Sequence, residues 1–338
     1  MKSVVYDLPE RFEIREVDVP VAEPGQVLLK LVMAGVCGTD LHLHHGEFGP
    51  TYPLTPGHEM VGEVVQLGQG VTSLAVGDLV AVNNTAACGY CLNCRRARAN
   101  FCLNPVAQGV NAPGGFAEFV TAPATLCHVV NDLDPEVAVF TEPTACAVHG
   151  LDMLEMDPGS DTLIFGTGPT GLLLIQLLAR SGAGRLTVAA PTQFKLEMAA
   201  ARGADEIVQI DRNDPEASAN RLQALAPLGF DVVIDATGAL PVLEQTIPLT
   251  RDGGTVFVYG MTREADRWAI PPYEVFRREL TIKGSFAQCY SFDRSLLALR
   301  QGRVDTSGMI THRFRLHEYA EALEAVADSD CIKAVIVP

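Results

Sequence analysis

Asp161-Thr162-Leu163-Ile164-Phe165-Gly166-Thr167-Gly168-Pro169-Thr170-Gly171-Leu172-Leu173-Leu174 is the stretch on which the fold turns. Asp161–Phe165 reads as a short apolar strand. The Leu-rich run after it reads as a buried helix reaching about Ser181. Between them lies the pattern G-x-G-x-x-G. By itself that pattern often marks only a tight turn; between a strand and a helix it is informative. Gly166 permits the turn, Gly168 lets the backbone approach a pyrophosphate, and Gly171 lets the helix pack closely on the strand. Pro169 and Thr170 open the helix, whose positive end would face the pyrophosphate. The stretch predicts a bound dinucleotide.

Further along, Arg185–Ala190 is strand-like and Gln193–Ala201 helical. Glu206–Ile210, Asp231–Asp235 and Thr255–Tyr259 are further short apolar strands with helical material between them. Alternation at this spacing predicts an α/β unit with a parallel sheet. The second strand of such a unit normally ends on an acidic residue that binds the ribose of NAD. Here Val188–Lys195 contains no Asp or Glu. A neutral end favours NADP, and Thr192 and Lys195 are candidates for its 2′-phosphate. NAD and dual use stay open, as does a merely solvated Lys195.

The first 130 residues have another texture. Runs such as Val27–Met33, Gly62–Leu67 and Val76–Val82 alternate with Gly- and Pro-rich turns, which predicts a compact, mostly β domain. The texture changes near residue 145 and again after about residue 280. The chain ends on the apolar strand Ala334–Val337, so the tail is expected to complete the N-terminal domain. A length of 338 residues fits two domains.

Composition excludes several classes of partner. Apolar residues make up 48% and charged residues 20%, enough to build a core and too apolar for general disorder. The net charge of −16 argues against nucleic acid and against an anionic membrane surface. No run reaches the roughly 18 apolar residues of a membrane span. Met1–Asp7 lacks the apolar core of a signal peptide, so a cytoplasmic chain is expected. In that compartment the nine cysteines read as metal ligands or buried hydrophobes rather than disulfides.

Cys88-x2-Cys91-x2-Cys94-x7-Cys102 offers four thiolates on one loop. Four sulfur ligands suit a tetrahedral zinc and leave no open position, so the site is expected to be structural. Arg95, Arg96 and Arg98 would offset its negative charge. An iron–sulfur cluster and free thiols are the alternatives. Cys37-Gly38-Thr39-Asp40, Gly57-His58-Glu59 and Glu142-Pro143 hold further candidate ligands. A catalytic zinc needs about three protein ligands and an exchangeable position. Taken singly, Cys37 reads as a small buried hydrophobe, His58 as a satisfied loop histidine and Glu142 as a helix N-terminal charge.

Jointly these segments resemble the zinc-containing medium-chain alcohol dehydrogenase superfamily, and within it the polyol (sorbitol, xylitol and arabinitol) dehydrogenases. The resemblance spans essentially the whole chain. Its markers are Cys37–His42, Gly57-His58-Glu59-x-x-Gly62, the four-cysteine loop, Glu142-Pro143, Gly166–Gly171, Lys283–Phe286 and Thr311–Phe314. It implies a Rossmann doubly wound parallel sheet over 146–280. It also implies a GroES-like β-barrel catalytic domain over 1–145, completed by 281–338. Cys37 and His58 are similar to catalytic zinc ligands, joined by Glu59, Glu142 or both. Glu142 stands where classical alcohol dehydrogenases have a cysteine, which points to the polyol group, and Cys146 is a lesser rival. Asp40 resembles the carboxylate that orients the ligand histidine. Thr39 resembles the proton-passing hydroxyl, with His42 as an outer relay. His44 and His45 read as solvated, with shaping of the substrate mouth as the alternative. Thr237, Ser285 and Phe286 are further cofactor candidates, and Gln288 a weak substrate candidate.

The resemblance implies an NAD(P)-dependent enzyme with two zinc ions per chain. It would interconvert a secondary alcohol, a polyol such as arabinitol, xylitol or sorbitol, and its ketone. A homo-oligomer, tetramer or dimer, is also implied. The alternatives are a threonine-type amino-alcohol dehydrogenase and a non-enzymatic, zinc-stabilised binding module.

Overall fold

The computed structural model describes residues 1–338. The chain forms two compact units. One comprises Met1–Ala145, Cys289–Gln301 and Thr306–Pro338; the other comprises Cys146–Gln288 with Gly302–Asp305.

The second unit is a six-stranded sheet in the spatial order Glu206–Gln209, Arg185–Ala190, Asp161–Phe165, Phe230–Asp235, Thr250–Val258, Thr281–Gly284. All five neighbouring pairs are parallel. The helices Pro169–Leu178, Gln193–Ala201, Pro215–Leu225 and Leu240–Leu249 join the strands. Leu163, Ile164, Val188, Val233 and Ile234 are fully buried, so their strands read as continuous apolar runs. Asp161–Phe165 has the next strand of the chain on one side and Phe230–Asp235 on the other. The winding therefore reverses beside it, and the glycine turn leaves its carboxyl end at the place where such sheets bind ligands.

Thr281–Gly284 is the sixth strand of this sheet. The expected boundary at residue 280 is corrected accordingly: the second unit runs on to Gln288. Only Ile282 in this strand is strongly apolar, as befits a strand at the sheet's edge.

The first unit is built on the eleven-residue strand Gln26–Val36. One side pairs with Glu59–Leu67 along most of its length. The other side is shared: Phe119–Pro123 pairs with Gln26–Lys30, and Lys333–Val337 pairs with Ala34–Val36. Ile310–Arg315, Leu79–Val82 and Cys127–Val129 complete the seven-stranded sheet. Val27, Leu29, Val64, Val80 and Val82 pack inside one core. A second core gathers Val4, Tyr6, Phe116, Tyr319 and Ile336 around the helix Tyr319–Ala327. Cys127 and Cys331 lie in these two cores as small hydrophobes. No helix is long and apolar enough to cross a membrane.

Candidate active site

Strand register assembles the first cluster. Gly35 is paired with Glu59, so the chain leaving Val36 brings Cys37 next to His58. Cys37 caps the helix Gly38–His44: its Sγ accepts from Thr39 N at 3.2 Å, and its own N donates to Asp40 Oδ2 at 2.9 Å. Cys37 Sγ lies 3.2 Å from His58 Nε2. The donor atoms of Cys37, His58 and Glu59 all lie within 4.8 Å of one another. His58 and Asp40 are buried, and His58 Nδ1 faces Asp40 Oδ1 at 3.6 Å. That separation is longer than a formed hydrogen bond. Burial would lower the His58 pKa, but the charges of Cys37 and Asp40 outweigh it and hold the ring well above its ordinary value. A histidine drawn toward its cationic form between a thiol and two buried carboxylates marks a pocket suited to a metal cation.

Glu59 has a partner that the sequence did not suggest. Lys333, at the start of the C-terminal strand, forms an ion pair with Glu59, and both side chains are buried. Burial would lower the Lys333 pKa, but the charges of Glu59 and Cys37 raise it. Room for the pair comes from Gly35. A Cβ there would stand 1.8 Å from Glu59 Oε2 and 2.9 Å from Lys333 Cε. The only available signal was a lysine directly before an apolar strand, which ordinarily reads as a solvated end. Glu142, half-buried in the first turn of Thr141–Leu154, and Cys146 on the same helix lie outside the Cys37–His58–Glu59 group.

The helix Gly38–His44 also carries the proposed proton carriers. Thr39 is half-buried. His42 Nδ1 pairs with Glu47. His45 is exposed and faces Glu10, but His44 is not simply solvated. Its Nδ1 lies 2.8 Å from Tyr6 OH, which is itself 3.2 Å from Tyr319 OH. Burial outweighs the bond from Tyr319 and raises the Tyr6 pKa.

The four-cysteine loop closes on itself. Cys91 and Cys94 sulfurs are 3.4 Å apart, and those of Cys88 and Cys94 are 4.0 Å apart. A zinc with bonds of about 2.3 Å needs sulfurs about 3.8 Å apart. Backbone N–H groups, that of Cys94 foremost, lower the Cys91 pKa to about 6. The Cys88 N–H likewise lowers Cys102, while burial pushes Cys94 up to about 12. No two of the nine cysteines are joined in a disulfide. Cys289, without an expected role, directs its sulfur at Ala97 O on this loop, 3.7 Å away.

At the glycine turn, Gly166 has φ +108° and Gly168 caps the helix Pro169–Leu178 with no side chain in the way. A Cβ on Gly171 would lie 2.3 Å from Gly166 O, and one on Gly168 would meet open space. The turn is therefore a cradle of bare backbone at a helix N-terminus. Thr192 caps the helix Gln193–Ala201, and Lys195 is buried on it rather than solvated. Thr237 is exposed and bonds back to Asp235 through its N and Oγ1. Ser285 has a buried hydroxyl without a partner, and Phe286 beside it is exposed.

Two family models match the chain. The alcohol dehydrogenase GroES-like domain matches residues 23–132, and the zinc-binding dehydrogenase domain matches residues 169–300. D-arabinitol dehydrogenase 1 of Uromyces fabae is 41% identical over 100% of this chain and 97% of its own length. D-altritol 5-dehydrogenase of Agrobacterium fabrum is 34% identical over 89% of each chain. A crystal structure from Sinorhizobium meliloti 1021, described as a zinc-binding dehydrogenase bound to NADP, superposes with a TM-score of 0.92. It is 33% identical and covers 100% of this chain and 99% of that one. A glycine cradle in one unit, two sets of converging ligands in the other and this end-to-end likeness establish that the chain belongs to the zinc-binding alcohol dehydrogenase family.

Proposed function

We propose that the protein is a zinc-dependent polyol dehydrogenase that interconverts a secondary hydroxyl, as in arabinitol, xylitol or sorbitol, with a ketone. The observation that carries this reading is the convergence of Cys37, His58 and Glu59 in a chain similar along its whole length to a D-arabinitol dehydrogenase. When bound, zinc would polarise the alcohol oxygen and the nicotinamide would take up the hydride. Cys37 and His58 would hold that zinc, with Glu59 or Glu142 as third ligand. Glu59 already stands beside the other two, with Lys333 as its counter-charge. Asp40 faces the far nitrogen of His58 at 3.6 Å and would orient the ring once that gap closes to a hydrogen bond. Thr39, whose hydroxyl both donates and accepts, passes the alcohol proton outward toward His42. Cys88, Cys91, Cys94 and Cys102 hold a second, structural zinc.

Gly166, Gly168, Pro169, Thr170 and Gly171 receive the pyrophosphate. Thr237, Ser285 and Phe286 border the rest of the cofactor. NADP is the preferred cofactor, supported by the absence of a carboxylate in Val188–Lys195 and by Thr192 and Lys195 near the end of that strand. Nine cysteines that form no disulfide fit a cytoplasmic location. A homo-oligomer, dimer or tetramer, rests on the family likeness.

The test is a panel of polyols, simple secondary alcohols and L-threonine, each assayed with NADP and with NAD, on protein of measured zinc content. Two zinc per chain, polyol oxidation and a preference for NADP are expected. Faster oxidation of L-threonine would replace the substrate assignment. Failure to bind either nicotinamide, or full activity in Cys37→Ser, would sink the whole reading.

A further inference from the structure

A cavity of about 360 Å3 lies within the first unit, and none of Cys37, His58 and Glu59 lines it. Its volume falls at the small end of the range for ligand pockets, about 300–1,000 Å3. The walls come from four parts of the unit: the N-terminal strand Lys2–Leu8, the short strands Thr85–Ala86 and Val106–Ala107, the turn through Ala112–Gly114, and Phe119–Pro123. Val5, Phe119, Val120 and Leu126 are among its apolar lining residues.

One polar group stands out. Gln108 is only 7% exposed. Its Nε2 donates to Thr121 O at 2.7 Å and to Pro113 O at 3.4 Å, which fixes the orientation of the amide. Its Oε1 is buried and has no partner. A buried acceptor left in this state carries a desolvation cost that no hydrogen bond offsets. The group therefore calls for a donor, and the cavity that Gln108 lines is where one can come from. No Lys or Arg side chain is among the lining residues; Asp18 is the sole carboxylate there, and the one cation, the Met1 ammonium, donates to Val17 O. The lining therefore disfavours an anion.

We propose that this cavity is a second small-molecule site, for a neutral ligand that joins a compact apolar body to an N–H or O–H donor directed at Gln108 Oε1. The wall beside it is fastened to the loop carrying His58. Gly114 N donates to Thr55 O at 2.8 Å, Gly115 N to Gly57 O at 2.8 Å and Phe116 N to Pro56 O at 2.9 Å. Gly109 is pressed against the same loop, because a Cβ there would be 2.4 Å from Gly57 O.

The test uses the zinc- and cofactor-loaded protein with hexanamide, which carries the donor, and hexanoate, its anionic counterpart. Calorimetric titration gives affinities, and a crystal soak gives the position. Hexanamide is expected in the cavity with its nitrogen on Gln108 Oε1, binding at least about tenfold more tightly than hexanoate. Ala86→Phe, which fills the space, should abolish this binding while leaving the circular dichroism spectrum unchanged. Ala112→Leu, also in the lining, serves the same purpose should Ala86→Phe fail to fold. Hexanamide bound only elsewhere, equal affinity for the two probes, or affinity unchanged in a folded filled variant would overturn the proposal. So would a crystal in which ordered water bridges Gln108 Oε1 and hexanamide does not displace it, or in which a second copy of the chain covers the cavity.

Discussion

Lys333 carries its charge into the interior beside Glu59, and neither side chain reaches solvent. Removing one member of such a pair leaves the other charge stranded, at about 3–5 kcal/mol. Lys333→Met is expected to lower the urea-unfolding stability of zinc-depleted protein by about that amount. Added zinc should restore part of the loss if Glu59 can turn to the metal; an unchanged midpoint would mean that the pair contributes nothing. Gly35→Ala intrudes on the same space and should cost about 1–3 kcal/mol as overpacking. His44 makes a pH prediction. Burial, foremost, lowers its pKa below the ordinary 6.5. The unfolded chain therefore takes up this proton first as the pH falls. Stability is intact above about 6.5, declines as the pH drops through that value, and stops declining below the folded pKa. In His44→Phe, stability measured across this window should fall less steeply than in the parent, and identical slopes would refute the assignment. Neither Lys333 nor the Tyr6–His44 contact was legible in the sequence. Periodicity reports which apolar residues are buried, and it is blind to a charge or ring whose partner arrives from a distant segment.

The elements were far more legible. Asp161–Phe165 and Arg185–Ala190 begin and end at the residues read from the sequence, because buried parallel strands are continuous apolar runs, and the helix Gln193–Ala201 matches its reading too. Thr250–Val258 starts five residues earlier than Thr255. Its opening Thr250-Arg251-Asp252-Gly253-Gly254 is polar and glycine-rich like a turn, and its pairing is irregular there. Thr281–Gly284 escaped notice for a related reason, since an edge strand need not be apolar on both faces. The glycine turn yields a prediction at this scale. With Gly171→Ala, a methyl group pressed on Gly166 O should tilt the helix off the strand and weaken NADPH binding about tenfold or more, as read by fluorescence titration. Unaltered affinity would mean that the close packing is dispensable. The four-cysteine loop yields another. Arg95, Arg96 and Arg98 are exposed on it. Chelation of zinc should loosen the loop and expose it to trypsin at these positions, with zinc restoring resistance. Equal resistance with and without chelator would show that the loop is held by packing alone.

For the molecule as a whole, composition bounded the answer without choosing it. The charge of −16 argued against polyanionic partners, whereas the glycine turn offers a phosphate bare backbone and a helix end, which composition cannot register. That charge should also cost some stability through self-repulsion. Raising neutral salt is expected to move the urea midpoint upward, and a downward shift would mean that attractive ion pairs outweigh the net repulsion. Chain order adds a consequence for synthesis. The inserted unit is complete once Asp305 has emerged from the ribosome. The unit that begins first must wait for Lys333–Val337, and until then half of one edge of Gln26–Val36 stands unpaired. An exposed strand edge invites pairing with other chains. The oldest part of the nascent protein is thus the last to close, and a chain halted a few residues short would carry both an open sheet edge and an uncompensated Glu59.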